Sequence, residues 1–205
     1  MPRPLDYLRE TASQTAGPYV HIGLAPGAAG FRTFDRELGQ VIAPEGTAGE
    51  RIRIDGQVID GTGGPVKDVL IEVWQADAAG IYPHPEDPRA AEAAPGFRGW
   101  GRVIPDFDTG LWSIDTIKPG AVPGRGGRTQ APHLNLWLVA RGINIGLNTR
   151  LYFPEDAAAH ATDPVLASVE SPARRQTLIA TATGPGTYRF DIRLQGDGET
   201  VFIDI

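Results

Sequence analysis

The chain contains no cysteine, so neither a disulfide nor a thiolate metal site can be built from it. It has no apolar run approaching the ~18 residues needed to cross a bilayer. Its first ten residues, Met1 to Glu10, carry neither an apolar targeting core nor a small-residue cleavage site, and the expected compartment is the cytoplasm. Excess positive charge is also missing: 19 Lys and Arg stand against 25 Asp and Glu, for a formal net charge of −6. Phosphate binding needs a clustered basic surface, which argues against nucleic acid as a main partner. Arg125, Arg128, Arg141 and Arg150 are locally dense and leave room for an anion pocket. No internal repeat and no dividing linker is visible.

What the chain has in quantity is turn chemistry. Gly 26 and Pro 18 make up more than a fifth of 205 residues, with strongly apolar segments between them, which reads as many turns rather than disorder. That length suits one packed domain. Residues 51–60 alternate apolar and polar with period two. Asp60 to Pro65 is a hairpin-type turn, and Val69 to Ala76 is apolar enough for a central strand. Further strands are predicted over 102–104, 111–117, 133–140, 148–153, 187–194 and 200–205. Helical signal is short: one turn at 90–94, then 157–159, 165–169 and 172–178, the last with Pro172 just inside its start. The expected fold is all-β, a two-sheet β-sandwich with irregular loops and few short helices. A single domain is expected over 1–205, with 1–50 as an N-terminal extension and 51–205 as the sandwich.

The densest motif runs from Ile54 to Tyr82. It reads Ile54-x-Gly56-x-Val58, then Gly63, Val66, Ile71-Glu72-Val73-Trp74-Gln75-Ala76 and Gly80-x-Tyr82. Thr116-Ile117-Lys118-Pro119-Gly120, Ala131-Pro132-His133 and Tyr188-Arg189-Phe190-Asp191-Ile192 follow downstream. This spaced pattern resembles the intradiol ring-cleavage dioxygenases, enzymes that use ferric iron and O2 to open catechols between the two hydroxyls. The resemblance covers nearly the whole chain, from about Ser13 onward.

In that family two tyrosinates and two histidines hold the iron, a hard anionic and imidazole set suited to Fe(III). The first tyrosine corresponds to Tyr82. The second falls at Val122. The histidines form a His-x-His pair on one strand, which here is His133-Leu134-Asn135. Valine cannot ligate, and neutral asparagine suits Fe(III) poorly, so no metal site is expected on this chain. Tyr82 then reads as a half-buried aromatic with its hydroxyl hydrogen-bonded, and His133 as a structural histidine bonded to nearby backbone. His21 and His160 carry no partner pattern. Trp74, Trp100, Trp112 and Trp137 read as core and interface mass.

Some members of the family are built from two homologous chain types, of which only one binds iron. Ser13 to His21 and Ala140-Arg141-Gly142-Ile143-Asn144 are similar to the alpha type. The resemblance then implies that no catalytic residue lies on this chain. It implies a homologous beta chain as partner, holding Fe(III), with an aromatic acid and O2 as substrates. Residues 1–50 are expected to pack on that partner. Thr15, Gly17 and Pro18 are expected to line its pocket, and Arg141 to bind or steer the anionic substrate. Two other readings stay open on the residues alone: a non-catalytic β-sandwich binding module, and a stand-alone iron enzyme with an altered set such as Tyr82, His84 and His133.

Overall fold

A computed structural model describes residues 11–17, 19–35 and 37–204. Helix α1 (Tyr19–Leu24) precedes the strands β1 (Arg51–Ile59), β2 (Leu70–Trp74), β3 (Trp100–Val103), β4 (Leu111–Ile117), β5 (Val122–Pro123), β6 (Thr129–Gln130), β7 (His133–Val139) and β8 (Leu147–Tyr152). Three short helices follow, α2 (Ala157–His160), α3 (Pro164–Ser168) and α4 (Pro172–Gln176), then β9 (Thr181–Gly184), β10 (Thr187–Arg189) and β11 (Ile192–Arg193). A single 3-10 turn at Ala90–Glu92 interrupts the long loop after β2.

Two sheets face each other. One has the order β11-β1-β10-β9 with β4 on β1, and the other has the order β3-β2-β7-β8. Along β1 every second residue is buried, so Ile52, Ile54 and Val58 point inward. They meet Ile71 and Val73 of β2, Leu134, Leu136 and Leu138 of β7, and Leu151 of β8 in one apolar cluster. Each fully buried side chain of this size contributes roughly 1.5–3 kcal/mol. Gly56 belongs to the same inward row because nothing larger fits: a Cβ there would stand 2.0 Å from the Phe190 carbonyl oxygen and 2.4 Å from the Trp112 ring. Buried Gln75 bridges the sheets. Its amide donates to the Ile117 carbonyl at 3.0 Å and its oxygen accepts from the Thr116 hydroxyl at 2.8 Å.

The expected all-β sandwich is present, with several local corrections. Asp60 to Pro65 does turn tightly, since Asp60 Oδ1 accepts from the backbone N–H of Thr62 and of Gly64. The strands it joins do not pair, however: β1 lies in one sheet and β2 in the other. The strand expected over 187–194 is cut in two, because the Asp191 carboxylate replaces a backbone carbonyl and accepts from the Gln57 N–H at 2.9 Å. Residues 200–204 form no strand; Thr200 and Ile203 make single backbone hydrogen bonds to Arg193 and Asn148. Within the glycine-rich stretch 118–130, where no strand was expected, Val122–Pro123 and Thr129–Gln130 pair as the small β5–β6 hairpin. Helix α1 and strand β9 were not expected.

Candidate functional site

The outer face of the four-stranded sheet holds the residues singled out above. On β7, Leu134, Leu136 and Leu138 take the core side, which turns His133, Asn135 and Trp137 the other way. The neighbouring strands set what these residues meet. Asn135 lies opposite Trp74 on β2 and opposite Arg150 on β8, and His133 lies opposite Tyr152.

Tyr82 reaches this face from the loop after β2. The buried Asp77 carboxylate shapes that loop by accepting from the N–H groups of Ala79, Ile81 and Ala94. Gly80 adopts φ 74°, and a Cβ on it would sit 2.0 Å from the Ala121 carbonyl oxygen. Only glycine permits both the left-handed backbone and that approach. The contact brings Tyr82 beside buried Val122. With Trp74 and His84 the two line a cleft of about 370 Å³. The Tyr82 ring stacks on Trp74, with centroids 5.6 Å apart and planes 5° from parallel.

The remnant histidine is held as its surroundings require. His133 Nδ1 is 2.7 Å from the Ala131 carbonyl oxygen, while Nε2 is buried with no hydrogen-bond partner. Burial, followed by the charge of Arg150, lowers its pKa to about 4, so the imidazole is neutral at pH 7. Burial raises the Tyr82 phenol above its ordinary pKa, although Arg150 and Asn135 pull the other way. Asp163, fully buried, caps α3 by accepting from Val165 and Leu166, and it also accepts from the Ala131 N–H and the Tyr152 hydroxyl.

This donor set does not fit a ferric ion. The orphaned His133 nitrogen and the Tyr82 phenol are the right kinds of atom. Beside them stand an alkyl group at Val122, and at Asn135 an amide whose nitrogen donates to the Trp74 carbonyl oxygen at 3.3 Å. His84 is exposed, and its Nδ1 accepts from the Glu86 N–H, so it does not complete a set. Among the described residues no group of three or more His, Asp or Glu side chains is arranged to hold a metal.

The other residues of interest gather elsewhere. The Thr15 hydroxyl accepts from the Gly142 N–H at 2.7 Å and donates to the Ala140 carbonyl at 3.3 Å. Arg141, 68% exposed, pairs with Asp68. Gly17 is exposed, and its carbonyl accepts from the Val20 N–H. Pro18 lies outside the described residues. This group sits just past the Val139 end of β7, about 20 Å along the strand from His133 at ~3.3 Å per residue. Sequence reasoning missed His21 here. It is buried, packs edge-on against Phe107, and feels the charges of Asp68 and Arg141. Reasoning from sequence counted Arg150 only among four clustered arginines with room for an anion, and left Gln130, Tyr152 and Asp163 without roles.

Comparison with known proteins places this geometry. The family model described as "Dioxygenase" matches residues 33–196. The protocatechuate 3,4-dioxygenase alpha chain of Pseudomonas putida is 52% identical over 98% of this chain and 99% of its own length. The protocatechuate 3,4-dioxygenase beta chain of Burkholderia cepacia is 35% identical over 97% of this chain and 85% of its own. Among solved structures, 3-chlorocatechol 1,2-dioxygenase from Rhodococcus opacus 1CP shares the fold, with a TM-score of 0.58 at 20% identity, covering 91% of this chain and 68% of that one. The chain belongs to the intradiol ring-cleavage dioxygenase family. Within it, the chain is similar to both subunit types, and more so to that alpha chain than to that beta chain.

Proposed function

We propose that this chain is the metal-free, alpha-type subunit of a protocatechuate 3,4-dioxygenase. It pairs with a homologous beta-type chain that holds Fe(III). Together they add both atoms of O2 to 3,4-dihydroxybenzoate, giving 3-carboxy-cis,cis-muconate. The observation that carries this reading is a family site kept in outline but emptied of half its ligands: Tyr82 and His133 remain, facing Val122 and Asn135. Ferric iron in the partner supplies the activation of the catechol ring.

The role of this chain is to wall the partner's pocket, exclude water and set its shape and charge. Thr15, Gly17 and Arg141 line that pocket, with Pro18 in the same segment. Arg141 meets the substrate carboxylate through the guanidinium donors that Asp68 leaves free. The extension expected over 1–50 packs on the partner through its described part, 11–17, 19–35 and 37–50, beside a sandwich that begins at 51; residues 1–10 lie outside the described residues. Exposed apolar side chains support this: Tyr19, Ile22, Leu24, Phe31, Phe34, Leu38 and Val41 all lie open along one short stretch. The compartment is the cytoplasm; among the described residues no helix is long and apolar enough to cross a membrane.

The test is expression of the chain with and without a beta-type partner, followed by O2 uptake on 3,4-dihydroxybenzoate. Turnover is expected only from the pair. Robust activity from the pure chain overturns the subunit reading, and failure to co-purify with any beta-type chain favours a stand-alone binding module.

A further inference from the structure

Missing ligands explain why the remnant site cannot hold iron, but not where its positive charge has gone. Arg150 stands directly opposite Asn135 on the neighbouring strand, so both side chains rise from the same face. Its Nη1 donates to Gln130 Oε1 at 2.7 Å and to the Tyr152 hydroxyl at 3.3 Å. Tyr152 passes the connection on to Asp163 at 3.3 Å. Among the described residues no carboxylate forms an ion pair with Arg150. One guanidinium thus joins β6 to β8 and, through Tyr152 and Asp163, to α3. Its charge reaches both remnants: after burial it is the next influence on Tyr82 and on His133.

We propose that the Arg150 guanidinium has taken the cation's place in this site, tying its elements together and excluding a metal ion even where the missing ligands are restored. The chemistry agrees with the residues around it. A fixed monovalent cation needs no second phenolate, tolerates an alkyl side chain at 122, and is served by the neutral Gln130 oxygen. A trivalent ion entering the same face meets a like charge that cannot be titrated away, because arginine stays protonated. The inference rests on the metal-free reading of this chain, and the two fail separately in the experiment below.

Four proteins are compared as full chains after incubation with ferric citrate and gel filtration: wild type, V122Y/N135H, V122Y/N135H/R150Q and V122Y/N135H/R150K. Iron content and the visible tyrosinate band are the readouts. The R150Q triple variant is expected to retain close to one iron per chain and to colour, with roughly tenfold or more iron than the other three. Iron in the wild type overturns both readings. An empty wild type with a double variant or an R150K triple variant that loads as well as the R150Q triple overturns the Arg150 proposal alone. So does a folded R150Q triple that holds no more iron than the double. If the triple variants do not fold, Arg150→Gln alone decides the matter. Its melting temperature is expected to fall by about 4–8 °C, with Arg150→Lys recovering part of the loss, and an unchanged melt overturns the proposal.

Discussion

The two ends of strand β7 treat polar groups in opposite ways. At the His133 end the polar groups are covered: His133 and Asp163 are buried, and Tyr152 links Asp163 to Arg150. At the Val139 end only His21 is buried among the described polar groups, while Thr15 is exposed and Arg141 keeps a single carboxylate partner. Buried polar groups are costly when unpaired and rigid when satisfied. Exposed ones contribute little to folding and stay available to a ligand. The first end is therefore expected to carry stability and the second to carry function, within one strand.

The largest test of that division is Asp163→Ala. The buried carboxylate accepts from the N–H groups of Ala131, Val165 and Leu166 and from the Tyr152 hydroxyl. Losing a helix cap and leaving buried donors unpaired is expected to cost on the order of 4 kcal/mol. Urea denaturation of the full chain measures it, and a loss below about 1 kcal/mol breaks the claim that this end holds the fold.

His133 gives the next largest effect, through pH. Its folded pKa of about 4 lies below the ordinary 6.5, with burial as the first cause and Arg150 as the second. The unfolded chain therefore takes up this proton first. The stabilisation is fully present above pH 6.5 and is lost as pH falls toward 4, a swing of about 3 kcal/mol at most. The pKa values of His21 and His160 are also lowered, so the informative quantity is a difference in slope. Between pH 7 and 4.5, His133→Gln is expected to lose less stability than the wild type. Equal slopes mean that His133 is already solvated.

How much of this was legible from sequence differs by kind of information. Strand β4 is read residue for residue over Leu111–Ile117, because a run of aromatic and β-branched residues with Trp112 and Ile114 on one face follows a turn anchored by Asp106. The segment 200–205 is rich in β-branched and aromatic residues as well, yet forms no strand over 200–204, since residue type cannot report whether an edge is free to pair. Helix α1 is hidden behind a Gly17-Pro18 step that reads as a turn. The emptied ligand positions at Val122 and Asn135 are legible because residue type alone disqualifies them. Arg150 is not, since its importance appears only once the β7–β8 register sets it opposite Asn135. His21 likewise acquires neighbours only when the chain brings Asp68 and Arg141 beside it.

At the Val139 end the largest effect is expected from Arg141→Ala in the assembled enzyme. A guanidinium–carboxylate contact to substrate, shared with Asp68, is expected to raise KM about tenfold with kcat little changed. The melting temperature should stay within experimental error, because an exposed ion pair contributes about 0–1 kcal/mol. An unchanged KM reduces Arg141 to a solvated charge and removes the functional half of the comparison.

Thr15→Val makes the smallest and sharpest test. The substitution keeps the shape of the side chain and deletes its hydroxyl, which accepts from the Gly142 N–H and donates to the Ala140 carbonyl on either side of Arg141. Gly142 is exposed and, although Ala140 is buried, the bond to its carbonyl is only partly covered, so water replaces much of what is lost and the expected cost is about 0.5–1 kcal/mol. What changes is position: without the hydroxyl, nothing in this pair of bonds ties residues 11–17 to the loop that carries Arg141. KM is then expected to rise about twofold to fivefold, in the same direction as for Arg141→Ala and by less. Thr15→Ser, which keeps the hydroxyl, should restore it. If valine raises KM and serine does not, the bond positions the arginine. If both variants behave like the wild type, the N-terminal segment is held in place by its partner chain alone, and the Val139 end of β7 owes its order to assembly rather than to this chain.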